Sequence, residues 1–318
     1  MTNALVGHKR RDRRGLKALG CLLLVGTLLA MSLTVAKFAD AAVLPRLTFL
    51  MAALASASGC LLLIALPRRG EWRLDRRVLE YAAVAGSLLA LPNALGFLAV
   101  RHVGAGFISL SFAFPILVTW LLAVLLRLEP LRGDRLVGVL LGLSGGIVLA
   151  LSKAGTGGGP LGWSLLVLLM PLALALGNIY RTLRWPADVP LVYLTALVLA
   201  GAALTLLPFS LAMEPGRLGE LFASPAGLGL LGLEVAVFTV LYRFFFILQR
   251  LAGPVYLSQI GTVAATVGTA VAVLVLGEPT PPNLALAAGL VVAGTLIFQR
   301  GATRPARPAP EASCSARP

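Results

Sequence analysis

Apolar runs of about 20 residues recur along the chain, separated by short breaks that carry charge, Pro or Gly. Each run is long enough to cross a hydrocarbon core of about 30 Å as a helix. None alternates apolar and polar residues with period two, which excludes the strands of an outer-membrane barrel. The pattern predicts ten helices, at 17–37, 45–66, 78–100, 104–127, 135–151, 162–182, 190–210, 227–249, 255–276 and 283–299. Between them lie turn-forming stretches such as Leu66-Pro67-Arg68-Arg69-Gly70, Glu129-Pro130, Met213-Glu214-Pro215-Gly216, Gly253-Pro254 and Glu278-Pro279. The predicted fold class is an all-α polytopic membrane protein.

Composition sharpens this. Apolar side chains make up 58% of the 318 residues before the 34 glycines are counted, and only 13% are charged. Soluble domains carry about 25% charge and reach about 45–50% apolar with glycine included. Cys21, Cys60 and Cys314 have no metal-like or framework spacing, so no disulfide scaffold or zinc site is expected. The Gly155 to Gly159 stretch lacks the Lys-Ser/Thr that a phosphate cradle needs and reads as a linker. No cofactor is expected.

The net charge of +14 does not point to nucleic acid, because the 27 basic residues are divided among the breaks. With ten crossings, 21 of them fall on the side of the termini and five (Lys37, Arg46, Arg101, Lys153, Arg217) on the other; Arg243 lies inside a run. The positive-inside rule then puts both termini in the cytoplasm of an inner-membrane protein. Arg13-Arg14 ahead of the first run reads as the anchor of an uncleaved helix rather than an export signal.

Sliding the chain on itself by 149 residues superposes Arg101 on Arg250, Gly104 on Gly253, Ser109 on Ser258, Glu129 on Glu278, Pro130 on Pro279 and Gly145 on Gly294. Five crossings per repeat is an odd number, so the second copy must be inverted relative to the first. The predicted organisation is a basic segment (1–16), a first five-helix repeat (17–151), a Gly-rich linker (152–161), a second repeat (162–300) and a disordered tail (301–318).

The motifs Arg101-His102-Val103-Gly104-Ala105-Gly106, Pro115 in mid-run and Leu128-Glu129-Pro130 are matched by Ala252-Gly253-Pro254-Val255-Tyr256 and Leu276-Gly277-Glu278-Pro279. In these the chain resembles a ten-helix member of the drug/metabolite transporter superfamily with two EamA-type repeats. The resemblance covers Leu16 to Arg300 and implies alternating access around a central site. It implies export of an amino acid or related metabolite without fixing the substrate. Gly26-Thr27 stands where the family often has Trp-Gly in the first helix, so aromatic contacts at that position are not carried over.

The sharpest single residue is Glu234, about four positions from the middle of the eighth run and thus on the order of 6 Å from the bilayer centre. An acid there must face the interior, be protonated or be paired. Arg243, nine residues on, points to the opposite face and is a second candidate for the substrate pathway or coupling. Phe238 and Tyr242 share the face of Glu234 and are expected in a cavity. Asn93, Asn178, Lys37 and Gln259, the last heading a stripe with Thr262, Thr266 and Thr269, are candidates for a shared lumen. Glu129 and Glu278 occupy helix C-termini, the wrong electrostatic end for an acid, and are candidate gate residues.

Together these readings predict a secondary transporter of a small polar or amphipathic metabolite, not an enzyme, with the bilayer as its partner and protons as candidate coupling ion. Whether it works as monomer or homodimer is open. The alternative is a membrane-embedded enzyme acting on a lipid or isoprenoid substrate, for which the acids are too scattered.

Overall fold

The computed structural model describes residues 2–126, 131–155, 161–277 and 283–303. Among the described residues every regular element is helical. The elements are α1 (Thr2–Ala41), α2 (Arg46–Ala65), α3 (Arg76–Val103), α4 (Ala105–Ser111), α5 (Pro115–Leu125), α6 (Gly133–Gly155), α7 (Leu161–Val167), α8 (Met170–Leu183), α9 (Leu191–Met213), α10 (Glu220–Ala223), α11 (Pro225–Leu257), α12 (Ile260–Leu274) and α13 (Leu284–Thr303), with short 3₁₀ turns at Leu66–Glu71 and Arg217–Gly219.

Seven helical stretches are long and apolar enough to cross a bilayer, and the helices at Ile260–Leu274 and Ala285–Phe298 are apolar but shorter. Large apolar side chains such as Leu63, Leu125 and Leu204 are more than half exposed on the outside of the bundle. In water such a surface would aggregate; in lipid it is solvated. The protein is a polytopic, all-helical membrane protein.

Three predicted spans differ from the observed helices. The fourth, expected as one helix over 104–127, is broken between Ser111 and Pro115, with Pro115 opening α5. Proline fits the first turn of a helix because it lacks only a donor that would be unpaired there anyway. The sixth is likewise broken before Met170-Pro171. Conversely, α11 runs through Gly253-Pro254, expected as a turn, and stops at Leu257. One missing N–H costs a single hydrogen bond, which a helix in an apolar bundle survives. The N-terminal basic segment is also not separate, since α1 begins at Thr2.

Small residues set the packing. A Cβ on Gly138 would lie 2.7 Å from the Gly294 carbonyl oxygen, and one on Gly294 2.6 Å from that of Gly138, so α6 and α13 touch backbone to backbone. Gly86 makes the same close approach to α9. Between apolar helices in lipid, such contact replaces the hydrophobic drive available in water. Polar staples add to it. Glu214, capping α9, accepts from the Leu47 and Thr48 amides and the Thr48 hydroxyl at 3.2, 2.8 and 2.8 Å, satisfying the start of α2.

Candidate functional site

Where the broken helices meet, α3, α8 and α11 converge on α1 around a central cavity lined by Asn93, Phe112, Asn178, Arg181, Tyr242, Ser258 and Gly261 among apolar neighbours. About 60 Å³ of it is open to water, room for roughly four to six molecules. Its floor is the point where the break between α4 and α5 crosses the start of α12: a Cβ on Gly261 would run into the Phe112 carbonyl oxygen.

Three predicted residues come together here. Asn93, on α3 one position after Pro92, donates from Nδ2 to the Leu89 carbonyl at 2.7 Å and to the Tyr242 hydroxyl at 3.1 Å. Asn178, on α8, accepts from Arg181 Nη2 at 2.7 Å. Arg181 itself was missed. Counted by position it belongs to the basic flank of the sixth run, but three residues after Asn178 it shares that residue's helix face. It is 2% exposed, with its guanidinium 5.2 Å from the centre of the Phe245 ring and its Nε without a partner. The ion pairs between described residues, Arg46 with Asp40, Arg132 with Asp134 and Arg217 with Glu220, do not include it. A buried guanidinium without a carboxylate costs on the order of several kcal/mol.

Glu234 lies outside the cavity lining. It is fully buried, and Ser32 of α1 donates to its Oε1 at 2.5 Å while Oε2 has no partner. Phe238 is fully buried with its ring 5.3 Å from that of Tyr242, and it supports the cavity wall from behind. Arg243 is exposed and lines a second, larger cavity of about 690 Å³ with Arg68, Arg250, Glu71 and Asp188.

Gln259 and Lys37 are not brought to the central cavity either. Gln259 is half-buried at the junction of α11 and α12; of the stripe it heads, Thr266 is exposed and donates to the Thr262 carbonyl of its own helix, while the Thr262 and Thr269 hydroxyls are buried without a partner and outside the cavity lining. Lys37 is half-buried on α1, away from the cavity lining. Glu129 and Glu278 lie outside the described residues.

Over 239 residues, 74% of this chain and 75% of its relative, the sequence is 34% identical to the uncharacterized protein PA1977 of Pseudomonas aeruginosa. This chain belongs to the PA1977 family. No family model matches it. A crystal structure of another protein, 21% identical, covers 93% of this chain and the whole of that one with a TM-score of 0.61. That likeness shows that the PA1977-family chain shares its helical fold with an experimentally observed protein.

Proposed function

We propose that the protein is a secondary transporter that carries a small polar or amphipathic metabolite, an amino acid or related compound, outward across the inner membrane by alternating access. The observation that carries this reading is the central cavity, walled by polar side chains from both halves of the chain at the crossing of two discontinuous helices. Broken helices at corresponding places in two halves are where transporters of inverted-repeat design bind their cargo.

The helix pairing supports the ten-span, two-repeat organisation and the resemblance to the drug/metabolite transporter superfamily. Under the 149-residue offset α1 corresponds to α8, α2 to α9 and α3 to α11. The pairs α1 with α11, α2 with α11 and α1 with α12 have counterparts in α8 with α3, α9 with α3 and α8 with α5, and all six are in contact. The pairs α2 with α9 and α6 with α13 map onto themselves. Glu234, with one carboxylate oxygen held by Ser32 and the other unpartnered, is the group to exchange a coupling proton or to receive a substrate amine.

Flux assays in proteoliposomes with a panel of labelled amino acids and related metabolites test the reading. Counterflow above that of empty vesicles supports it, and its absence for the whole panel refutes it. Reporter fusions after Gly70 and at Gly157 test the orientation; the first is expected inside and the second outside, and the same side for both refutes ten spans with cytoplasmic ends.

A further inference from the structure

Arg181 is the one charged side chain among the described residues that line the central cavity, and no carboxylate among the described residues pairs with it. Its neighbours hold it in place without neutralising it. Asn178 fixes one nitrogen, Phe245 faces the guanidinium, and Nε is left without an acceptor although the side chain is 2% exposed. The backbone makes room for this as well. A Cβ on Gly177 would stand 3.0 and 3.4 Å from the two terminal nitrogens, so the guanidinium lies where any other residue at 177 would crowd it.

We infer that Arg181 is the docking point for the carboxylate of the transported solute. This rests on the transporter reading above and narrows its substrate to small monocarboxylates with an apolar body. A planar guanidinium presents parallel N–H donors that match the two oxygens of a carboxylate. A single cation suits a monoanion better than a doubly charged phosphate ester. Apart from Asn93, Asn178, Tyr242 and Ser258, the remaining lining, with Leu29, Leu89 and Leu241, is apolar and receives a hydrocarbon body rather than a sugar. Binding removes the cost of the unpaired charge, so the solute supplies the counter-ion that the described residues do not.

The test uses the purified full-length protein in detergent and matched pairs of probes: isovalerate against isovaleramide, and L-leucine against L-leucinamide. The carboxylates are expected to raise the unfolding midpoint by roughly 3 °C at saturating concentration, and the amides to leave it unchanged. Arg181→Gln is expected to abolish the difference within each pair. Gly177→Ala, whose new methyl meets the far end of the Arg181 side chain and makes an ordinary contact with the Leu88 Cβ at 3.4 Å, is expected to keep the fold and weaken carboxylate binding about tenfold; it carries the test if Arg181→Gln does not fold. Equal shifts for acid and amide in the wild type, or a carboxylate-specific shift that survives Arg181→Gln, overturn the inference. Flux of a solute lacking a carboxyl group, unaffected by Arg181→Gln, keeps the transporter reading and overturns this one. Arg181-dependent carboxylate binding with no flux of the bound acid leaves the anion site and overturns the transporter reading.

Discussion

Asn93 and Tyr242 are hydrogen-bonded at 3.1 Å across the central cavity, and they stand 149 positions apart, the offset at which the two halves of the sequence superpose. Equivalent positions of two related halves meet face to face only close to the axis that relates them. The cavity thus sits where the repeat reading requires a central site.

That contact is measurable. A double-mutant cycle with Asn93→Ala and Tyr242→Phe is expected to give a coupling of about 1 kcal/mol in thermal or denaturant unfolding. The same two variants should alter transport by more than they alter stability, because both groups line the cavity. Full additivity would show that the bond contributes nothing to the resting fold.

Glu234→Gln keeps the acceptor for the Ser32 hydroxyl and removes titration, so the variant should fold with near wild-type stability. Exchange of substrate across the membrane should persist while accumulation against a gradient falls at least about tenfold, the loss of coupling that a proton carrier implies. Unchanged accumulation with unchanged pH dependence would make the residue structural.

Gly261→Ala should be among the most damaging single-methyl changes in the chain, costing at least about 2 kcal/mol, because the obstacle is the Phe112 backbone and cannot rotate away. The control is Gly232→Ala on α11, where a Cβ meets nothing within 4 Å. It should be neutral or stabilise by about 0.5–1 kcal/mol. Yield of monodisperse protein and unfolding midpoint separate the two.

On the loop after α9, Arg217 donates to both carboxylate oxygens of Glu220 at 2.8 and 2.7 Å. That hydrogen bonding lowers the Glu220 pKa below the usual carboxylate value. The contribution of the pair is therefore complete above the unfolded-state value of about 4.3 and disappears as pH falls through the lower folded value. Lying at the solvent-accessible surface, the pair should also weaken with salt. Titration of the Glu220 carboxyl by NMR, in wild type and in Arg217→Ala, should show the value rising toward normal in the variant.

Much of the helical pattern was legible because an apolar run of crossing length has few other outcomes in a membrane. The breaks were less so. Ser111-Phe112-Ala113-Phe114 has no glycine, asparagine or aspartate before Pro115, and its interruption falls at the crossing with α12, a tertiary cause. Gly253-Pro254 gave the opposite error, since turn chemistry in a bundle is overridden by packing. Asn93 and Asn178 were found as polar groups in apolar runs, and Tyr242 as an aromatic on the helix face of Glu234. Arg181 was not, because a linear count treats a charge near the end of a run as a boundary marker, whereas the helix phase it shares with Asn178 turns it inward. Lys37 and Gln259 show the converse: a polar residue in a run has many faces to choose from, and composition does not say which one a break or a neighbour will leave open.

The crossing of Phe112 and Gly261 constrains how the bundle can move. Two backbones in direct contact, with no side chain between them, have no compressible layer to absorb a change in separation. In a rocking protein they act as a fulcrum, and the halves can pivot about that point but not draw apart there. Displacement then grows with distance from the pivot, so the cavity floor stays nearly still while the helix ends sweep the largest arcs. A solute resting on that floor would feel the entrances open and close around it without being carried, and the work of transport would be done at the rims.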